Sequence, residues 1–300
     1  MNLTLDEKKI RKGKAVGLPY VGSKKKISKK IVEIIKQNFG TDKTVYDVLG
    51  GGGAITAELM INGIDVVYND LDKIITDMFN RVLSQDREWI KTLIVSRDEF
   101  IAIREKEIKT VDDELKLLVN SFGNNRKDYL YSKKISDIKY NLAVEILETE
   151  DILSGYKKTT TYQRAVNLYE EKLGFFAKEE KGRVLQQLQR LHQLERLQQL
   201  QQTLETKNKD YKYFSSVKNS ILYLDPPYEN TETGSYKSQI DYQEFYDWAY
   251  EMSKNNIVLL SSYEVSDYRF ECVYEFKTAR STFQNGVPGS RCEKLFMVKS

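Results

Sequence analysis

The stretch KTVYDVLGGGGAITAELM, residues 43–60, limits what this chain can fold into more than any other. VYDVL is β-branched and apolar, with the character of a buried strand. Four consecutive glycines follow, Gly50 to Gly53, and AITAELMING then reads as a helix ending near Gly63. IDVVYND (64–70) is a second strand with an acid at its end, and LDKIITDMFNRVL (71–83) has helical spacing again. Strand, helix, strand with a tight glycine turn after the first strand predicts a parallel α/β sheet.

Further apolar runs extend that sheet. ILYLD (221–225) and NIVLLSSY (256–263) read as buried strands, with a helix between them at 241–256. FECVYEF (270–276) and EKLFMVK (293–299) form a final strand pair. The pattern lapses over residues 116–209, which are rich in Lys, Tyr, Asn and Gln. The sequence therefore predicts one sheet domain made of residues 1–115 and 210–300, interrupted by a mostly helical insert at 116–209. Within the insert, leucines fall at 185, 188, 191, 194, 197 and 200. A strict three-residue step rotates the apolar stripe by roughly 60° per repeat, which denies it a coiled-coil seam and predicts packing inside the insert. His192 lies there as a packing or surface residue.

Composition removes several classes. Forty per cent hydrophobic residues supply a real core, and no run reaches the length of a membrane span. The N-terminal MNLTLDEKKIRKGKAV lacks a signal peptide's apolar centre, and two cysteines, Cys272 and Cys292, make no disulfide framework. A reducing, cytoplasmic setting is expected. One histidine and two cysteines do not make a structural zinc site. The net charge is only +3, yet residues 8–30 hold ten Lys or Arg and no acid, either a solvated face or a surface for phosphates.

The candidate site follows from strand ends. Ligands of open α/β sheets bind beyond the carboxyl ends of the strands. At the glycine turn the backbone can approach a ligand closely. Asp70, ending the next strand, is placed to accept from ribose hydroxyls, and the pair suits adenosine-containing ligands, dinucleotides included. The turn lacks the G-x-G-x-x-G form, and no nucleotide-hydrolysing G-x-x-x-x-G-K-[ST] is present. LYLDPPYEN then places Asp225 and two prolines at the end of another strand. Adjacent prolines remove two backbone donors, so the plain reading is a strand terminator. The functional reading is a rigid loop that offers a carboxylate and carbonyls to a planar amino group, with Tyr228 stacking on its ring.

With those residues in hand, the chain resembles the Dam-type DNA adenine-N6 methyltransferases. DPPY (225–228) matches that family's catalytic tetrapeptide. YDVLGGGGAI is similar to its S-adenosylmethionine loop, YND (68–70) to its ribose-binding acid, and PYVGSKKKI (19–27) to its N-terminal cofactor motif. SFGNNRKDYLYSK (121–133) resembles a segment of phage-type members, and GSRCEKLFMV (289–298) the closing motif. Leu49 departs from the Phe that relatives often carry.

The resemblance implies a Rossmann-like methyltransferase sheet, with the insert as a DNA target-recognition domain. It implies S-adenosylmethionine enclosed by Tyr20, Gly22, Lys24, Asp47, Gly51, Gly53, Asp70 and Asp225. Asp225, the Pro226 carbonyl and Tyr228 would act on N6 of an adenine flipped out of duplex DNA. Lys29 is expected to neutralise phosphates, while Asn124, Asn125, Arg126, Lys127 and Tyr129 would contact DNA in the insert. No metal is called for, and a monomer or weak dimer is expected. Methyltransferases of RNA bases or protein glutamine use similar loops, but roughly 170 residues separate the glycine turn from DPPY here, where those enzymes keep the two close. A binding module without catalysis would need neither Asp70 nor Asp225. The recognised site (GATC in many relatives) and membership of a restriction-modification system are not legible.

Overall fold

The computed structural model describes residues 2–20, 22–149, 160, 163–164, 167, 186–200, 203–229, 240–280 and 292–299. Leu185, residues 201–202 of the leucine-rich stretch and 289–291 of the closing motif lie outside them. The chain divides into two compact units. The first comprises Met1–Gly17, Ser23–Thr76 and Gln202–Ser300, and the second Leu18–Gly22 and Asp77–Gln201.

The first unit is a seven-stranded sheet in the order β3-β2-β1-β4-β5-β7-β6. The strands are β1 (Val45–Asp47), β2 (Val66–Asn69), β3 (Glu205–Lys207), β4 (Ile221–Leu224), β5 (Ile257–Ser262), β6 (Phe270–Arg280) and β7 (Cys292–Val298). Strands β1 to β5 pair parallel, and β7 runs antiparallel between β5 and β6. The parallel part is the α/β sheet that the glycine-turn unit predicts, and the whole is the Rossmann-like sheet that the family resemblance implies. Strand β3 is a difference from the sequence reading, which carries the insert through residue 209. Its three residues, Glu-Thr-Lys, are polar and partly exposed at the sheet edge, so they carry no apolar signal.

Both faces of the sheet are covered, which explains why its strands read as continuous apolar runs. Side chains alternate along each strand. Ile221 and Tyr223 of β4 and Leu259 of β5 pack with α1 (Ser28–Phe39) and α2 (Ala54–Ile61) through Ile31, Ile34, Ile55 and Leu59. Leu222, Leu224, Val258 and Leu260 point to the opposite face, against Phe245, Trp248 and Met252 of the helix Tyr242–Ser253.

The second unit is helical among its described residues. After α3 (Lys73–Leu83), within which the division falls, come α4 (Arg87–Lys91), α5 (Arg97–Glu105), α6 (Val111–Asn120), α7 (Ser136–Thr149) and α8 (Gln186–Gln198). Helix α6 opens with a capping box: Asp113 N–H donates to Thr110 Oγ1 at 3.1 Å, and Thr110 N–H donates back to the Asp113 carboxylate at 2.9 Å. Helix α8 is the leucine-step segment. Leu188, Leu191, Leu194 and Leu197 are all fully buried. A stripe that rotates with every repeat needs cover over much of the circumference, and polar residues between the leucines are buried with it. Gln187 and Arg190 bond to groups of α6 and the residue after it, and Glu195 pairs with Arg87 at 2.7 Å. His192 lies beside Glu195 and Arg196, in keeping with a packing residue.

Arg190 has a structural task. Its Nη1 donates to the carbonyls of Val119, at 2.5 Å, and Ser121, at 2.7 Å, where α6 runs out of amide donors. Burial pushes the guanidinium down to about 10. Arg190→Met keeps the stem and leaves both carbonyls without their donor. We expect a loss of about 2–3 kcal/mol in urea unfolding; an unchanged midpoint and slope would mean that other donors replace the guanidinium.

Candidate active site

The strand order reverses direction between β1 and β4, so a crevice opens at their carboxyl ends. Three sequence-predicted acids stand at strand ends of this unit: Asp47 closes β1, Asp70 follows β2 and Asp225 follows β4.

The glycine turn is fixed from below. Gly50 N–H donates to the Asn69 carbonyl at 2.8 Å, and a Cβ on Gly50 would sit 2.6 Å from the Tyr68 ring, so no other residue fits. Gly53 has φ +67°, a left-handed conformation that starts α2 without side-chain strain. Asp70 ties the turn to β2: one carboxylate oxygen accepts from Gly51 N–H and the other from Asp72 N–H, each at 2.8 Å. Burial nevertheless raises Asp70 above the ordinary carboxylate range. Each oxygen keeps a lone pair for a further donor.

Asp47 is 1% exposed. Its Oδ2 accepts from the Thr56 hydroxyl at 2.6 Å and the Thr56 amide at 3.1 Å, while Oδ1 has no hydrogen-bond partner among the described residues. Burial pushes the acid up to about 7 against those two bonds. An orphaned carboxylate oxygen beneath a glycine turn is a place for a ligand's cationic or N–H group.

The loop after β4 carries the densest charge. Lys24 comes from a single 3-10 turn, Lys24–Lys26, just before α1. Its ammonium lies 2.7 Å from Asp225 and 2.9 Å from Glu293, donates to the Tyr228 hydroxyl, and sits 4.7 Å from the centre of the Tyr228 ring. The Tyr228 hydroxyl donates in turn to Glu293. Tyr263 meets the ring edge-on at 4.5 Å between centroids. Burial alone would lower Lys24, but the two carboxylates outweigh it and hold the ammonium above its usual value. Burial raises Asp225 to about 6, with Lys24 restraining it and Glu293 adding to the rise. Tyr242 donates to the Pro227 carbonyl at 2.5 Å, whereas the Pro226 carbonyl takes no donor among the described residues.

Asp225, Pro226 and Tyr228 are thus together on the loop after β4 with Lys24 reaching them from the turn before α1, and Asp47, Gly51, Gly53 and Asp70 are together around the glycine turn. Sequence reasoning missed Glu293 and Tyr263. Glu293 had a signal, a lone acid opening an apolar strand. Its neighbours depend on β7 running antiparallel beside β5, which no local pattern reveals. Tyr20 and Gly22 group with the second unit.

The expected DNA contacts are engaged inside the fold to differing degrees. Lys29 is half-buried and donates to the carbonyls of Gly13, at 2.8 Å, and Arg11, at 3.3 Å. Those bonds, like Arg11 to Glu58 and Lys30 to Glu7, draw cations of the basic run into the first unit. In the second unit, Asn125 accepts from the amides of Lys127 and Asp128 and so shapes its own turn. Asn124 buries an Oδ1 that has no hydrogen-bond partner among the described residues, and Arg126 pairs with Glu114 at 2.9 Å. Lys127 is exposed. Tyr129 packs with Phe100 and Tyr131, and its hydroxyl donates to the Val95 carbonyl at 3.0 Å. At 9% exposure its ring is core, leaving little surface for DNA.

Asp47 yields a sign-determined test. Its folded value, about 7, lies above the roughly 3.9 of an unfolded aspartate. Ionised Asp47 therefore costs stability, a cost absent below pH 4 and complete above pH 7. Asp47→Asn removes it. The unfolding free energy of the native chain minus that of D47N is expected to fall by on the order of 4 kcal/mol as pH rises through this window. A flat difference between pH 4 and 8 would show that Asp47 titrates normally.

Among the described residues no cluster of His, Cys, Asp and Glu could hold a metal ion, and no helix is long and apolar enough to cross a membrane. No curated protein matches the chain. A family model described as D12 class N6 adenine-specific DNA methyltransferase matches residues 20–280, which include the glycine turn, both strand-end acids of the first half and the whole DPPY loop. The acceptor-rich loop at the carboxyl end of β4 and this match agree: the chain belongs to the D12 class N6 adenine-specific DNA methyltransferase family, and it is an adenine-specific DNA methyltransferase.

Proposed function

We propose that the methyl donor is S-adenosylmethionine and that the acceptor is N6 of an adenine rotated out of duplex DNA, with Asp225, the Pro226 carbonyl and Tyr228 acting on the base. The observation that carries this reading is Asp225 on its prolyl loop: a carboxylate ionised above about pH 6, beside a prolyl carbonyl that takes no donor among the described residues. The residues around the glycine turn fit the cofactor. Asp70 retains lone pairs for ribose hydroxyls, and the orphaned Oδ1 of Asp47 suits the ammonium of an amino acid moiety. When bound, S-adenosylmethionine supplies an electrophilic methyl carbon on a sulfonium.

The chain's own residues solve the problem of the acceptor. The lone pair of N6 is delocalised into the purine ring. Two acceptors, Asp225 and the Pro226 carbonyl, bind its two hydrogens and favour a more tetrahedral nitrogen. On transfer of the methyl group the electrons of the carbon–sulfur bond would stay with sulfur, and the Asp225 carboxylate, already accepting one N6 hydrogen, would take up the surplus N6 proton and pass it to solvent. The positive charge that grows on nitrogen faces the Asp225 carboxylate. Rotating the base out of the stack costs roughly a few kcal/mol, which stacking on Tyr228 offsets. Target reading falls to the insert expected at 116–209, apart from β3 (Glu205–Lys207), which belongs to the sheet, with Arg126 and Lys127 as the cations next to Asn124 and Asn125 in sequence.

Asp225→Ala is expected to lower single-turnover methylation at least roughly a hundredfold, far more than it lowers calorimetric cofactor affinity. Tyr228→Phe keeps the ring and substantial activity; Tyr228→Ala loses both. Wild-type rates in D225A would return the loop to a strand terminator. The acid limb follows from Asp225: its acceptor is present above about pH 6 and is lost as pH falls through that value, so the rate should be half its plateau near pH 6. Arg126→Ala, assayed on every single-base variant of the preferred site, should relax choice at one base pair by roughly 1–3 kcal/mol; an equal loss on all variants assigns Arg126 to positioning.

A further inference from the structure

Asp225 must offer negative charge to a nitrogen that turns cationic, yet its carboxylate lies 2.7 Å from the Lys24 ammonium. A one-to-one pair would be neutral and would offer a developing cation little. The cluster is not one-to-one. Glu293, 6% exposed at the start of β7, lies 2.9 Å from the same ammonium and accepts from the Tyr228 hydroxyl. Two carboxylates around one ammonium leave one negative charge in a largely buried pocket. Anchoring Lys24 alone would need only one carboxylate, and a second buried acid costs stability unless it does something else.

Resting on the reading of Asp225 and Tyr228 above, we propose that Glu293 is a positioning residue for methyl transfer: it takes up the Lys24 ammonium and the Tyr228 hydroxyl, leaving Asp225 its charge and fixing the plane of the Tyr228 ring. Two constraints then hold that ring, its hydroxyl on Glu293 and Lys24 and its edge on Tyr263. Ser261 supports Glu293 from β5, its hydroxyl 3.4 Å from the same carboxylate oxygen.

The charge balance makes the role measurable. The titratable groups facing Asp225 are Lys24 before α1, Glu293 on β7, Tyr228 on the loop, Tyr223 on β4 and Asp47 on β1. Glu293 raises the Asp225 titration and Lys24 lowers it, so removing either moves the acid limb in opposite directions.

The test is single-turnover methylation of unmethylated genomic DNA with radiolabelled S-adenosylmethionine between pH 5 and 9. It compares the native chain with D225A, E293Q and K24M, with cofactor affinity measured by calorimetry. E293Q should lose about tenfold or more of the plateau rate, keep cofactor affinity within about twofold, and shift its acid limb to lower pH. K24M should shift the limb to higher pH. An E293Q that matches the native rate, or that falls equally at every pH with its limb unmoved, overturns the proposal and makes Glu293 a strand residue only. Should E293Q not fold, K24M decides: a limb raised in pH supports the shared ammonium, and an unmoved limb overturns it. D225A separates the two levels. Native activity in D225A sinks the underlying reading, whereas an inactive D225A beside an unaffected E293Q sinks the role of Glu293 alone.

Discussion

The reversal of strand order between β1 and β4 is the constraint on which the chemistry of the first unit depends. Neighbouring connections leave in opposite directions there, the arrangement at which open α/β sheets hold their ligands. Asp47 and Asp225 end or follow the two strands that flank it, and their elements are held in register by parallel pairing from Val45 with Ile221 to Asp47 with Tyr223. Apolar burial on both faces of the sheet fixes that register, because a one-residue slip would exchange the two sets of side chains of β4. Fold and site are therefore stabilised by the same alternation.

Three acids at these strand ends, Asp47 buried and Asp70 and Asp225 half-buried, titrate above their ordinary range, and for each the first cause is loss of water. They differ in what opposes it. Asp70 has backbone amides, Asp47 has Thr56, and Asp225 has an ammonium. Fixed dipoles hold the first two in place with the turn and helix they bond. A side chain's charge holds the third, brought to it from the turn before α1.

Much of this was legible in the sequence because the signals are local. The glycine run marks a close approach that the Tyr68 ring enforces, and the apolar runs at 221–224 and 257–262 became the two most buried strands. Elements with polar sequence were not legible. Strand β3 is recruited by pairing with β2 alone, and α8 buries Gln187, Arg190 and Glu195 because partners elsewhere in its unit satisfy them. Tyr129 and Arg126 sit in a stretch that reads as a nucleic-acid surface by composition. The structure engages one in a hydrophobic cluster and the other in an ion pair, a distinction that composition does not carry.

The insertion of β7 between β5 and β6 has a consequence for the charged cluster. Lys24 precedes α1 and Glu293 lies on β7, so the cluster is a clasp between segments far apart in sequence. Ordering such a contact closes a long stretch of chain, which costs more entropy than a local turn. The surroundings of Asp225 are complete only when β7 is paired beside β5, and a substitution that loosens that edge of the sheet reaches the charge on Asp225 without touching it.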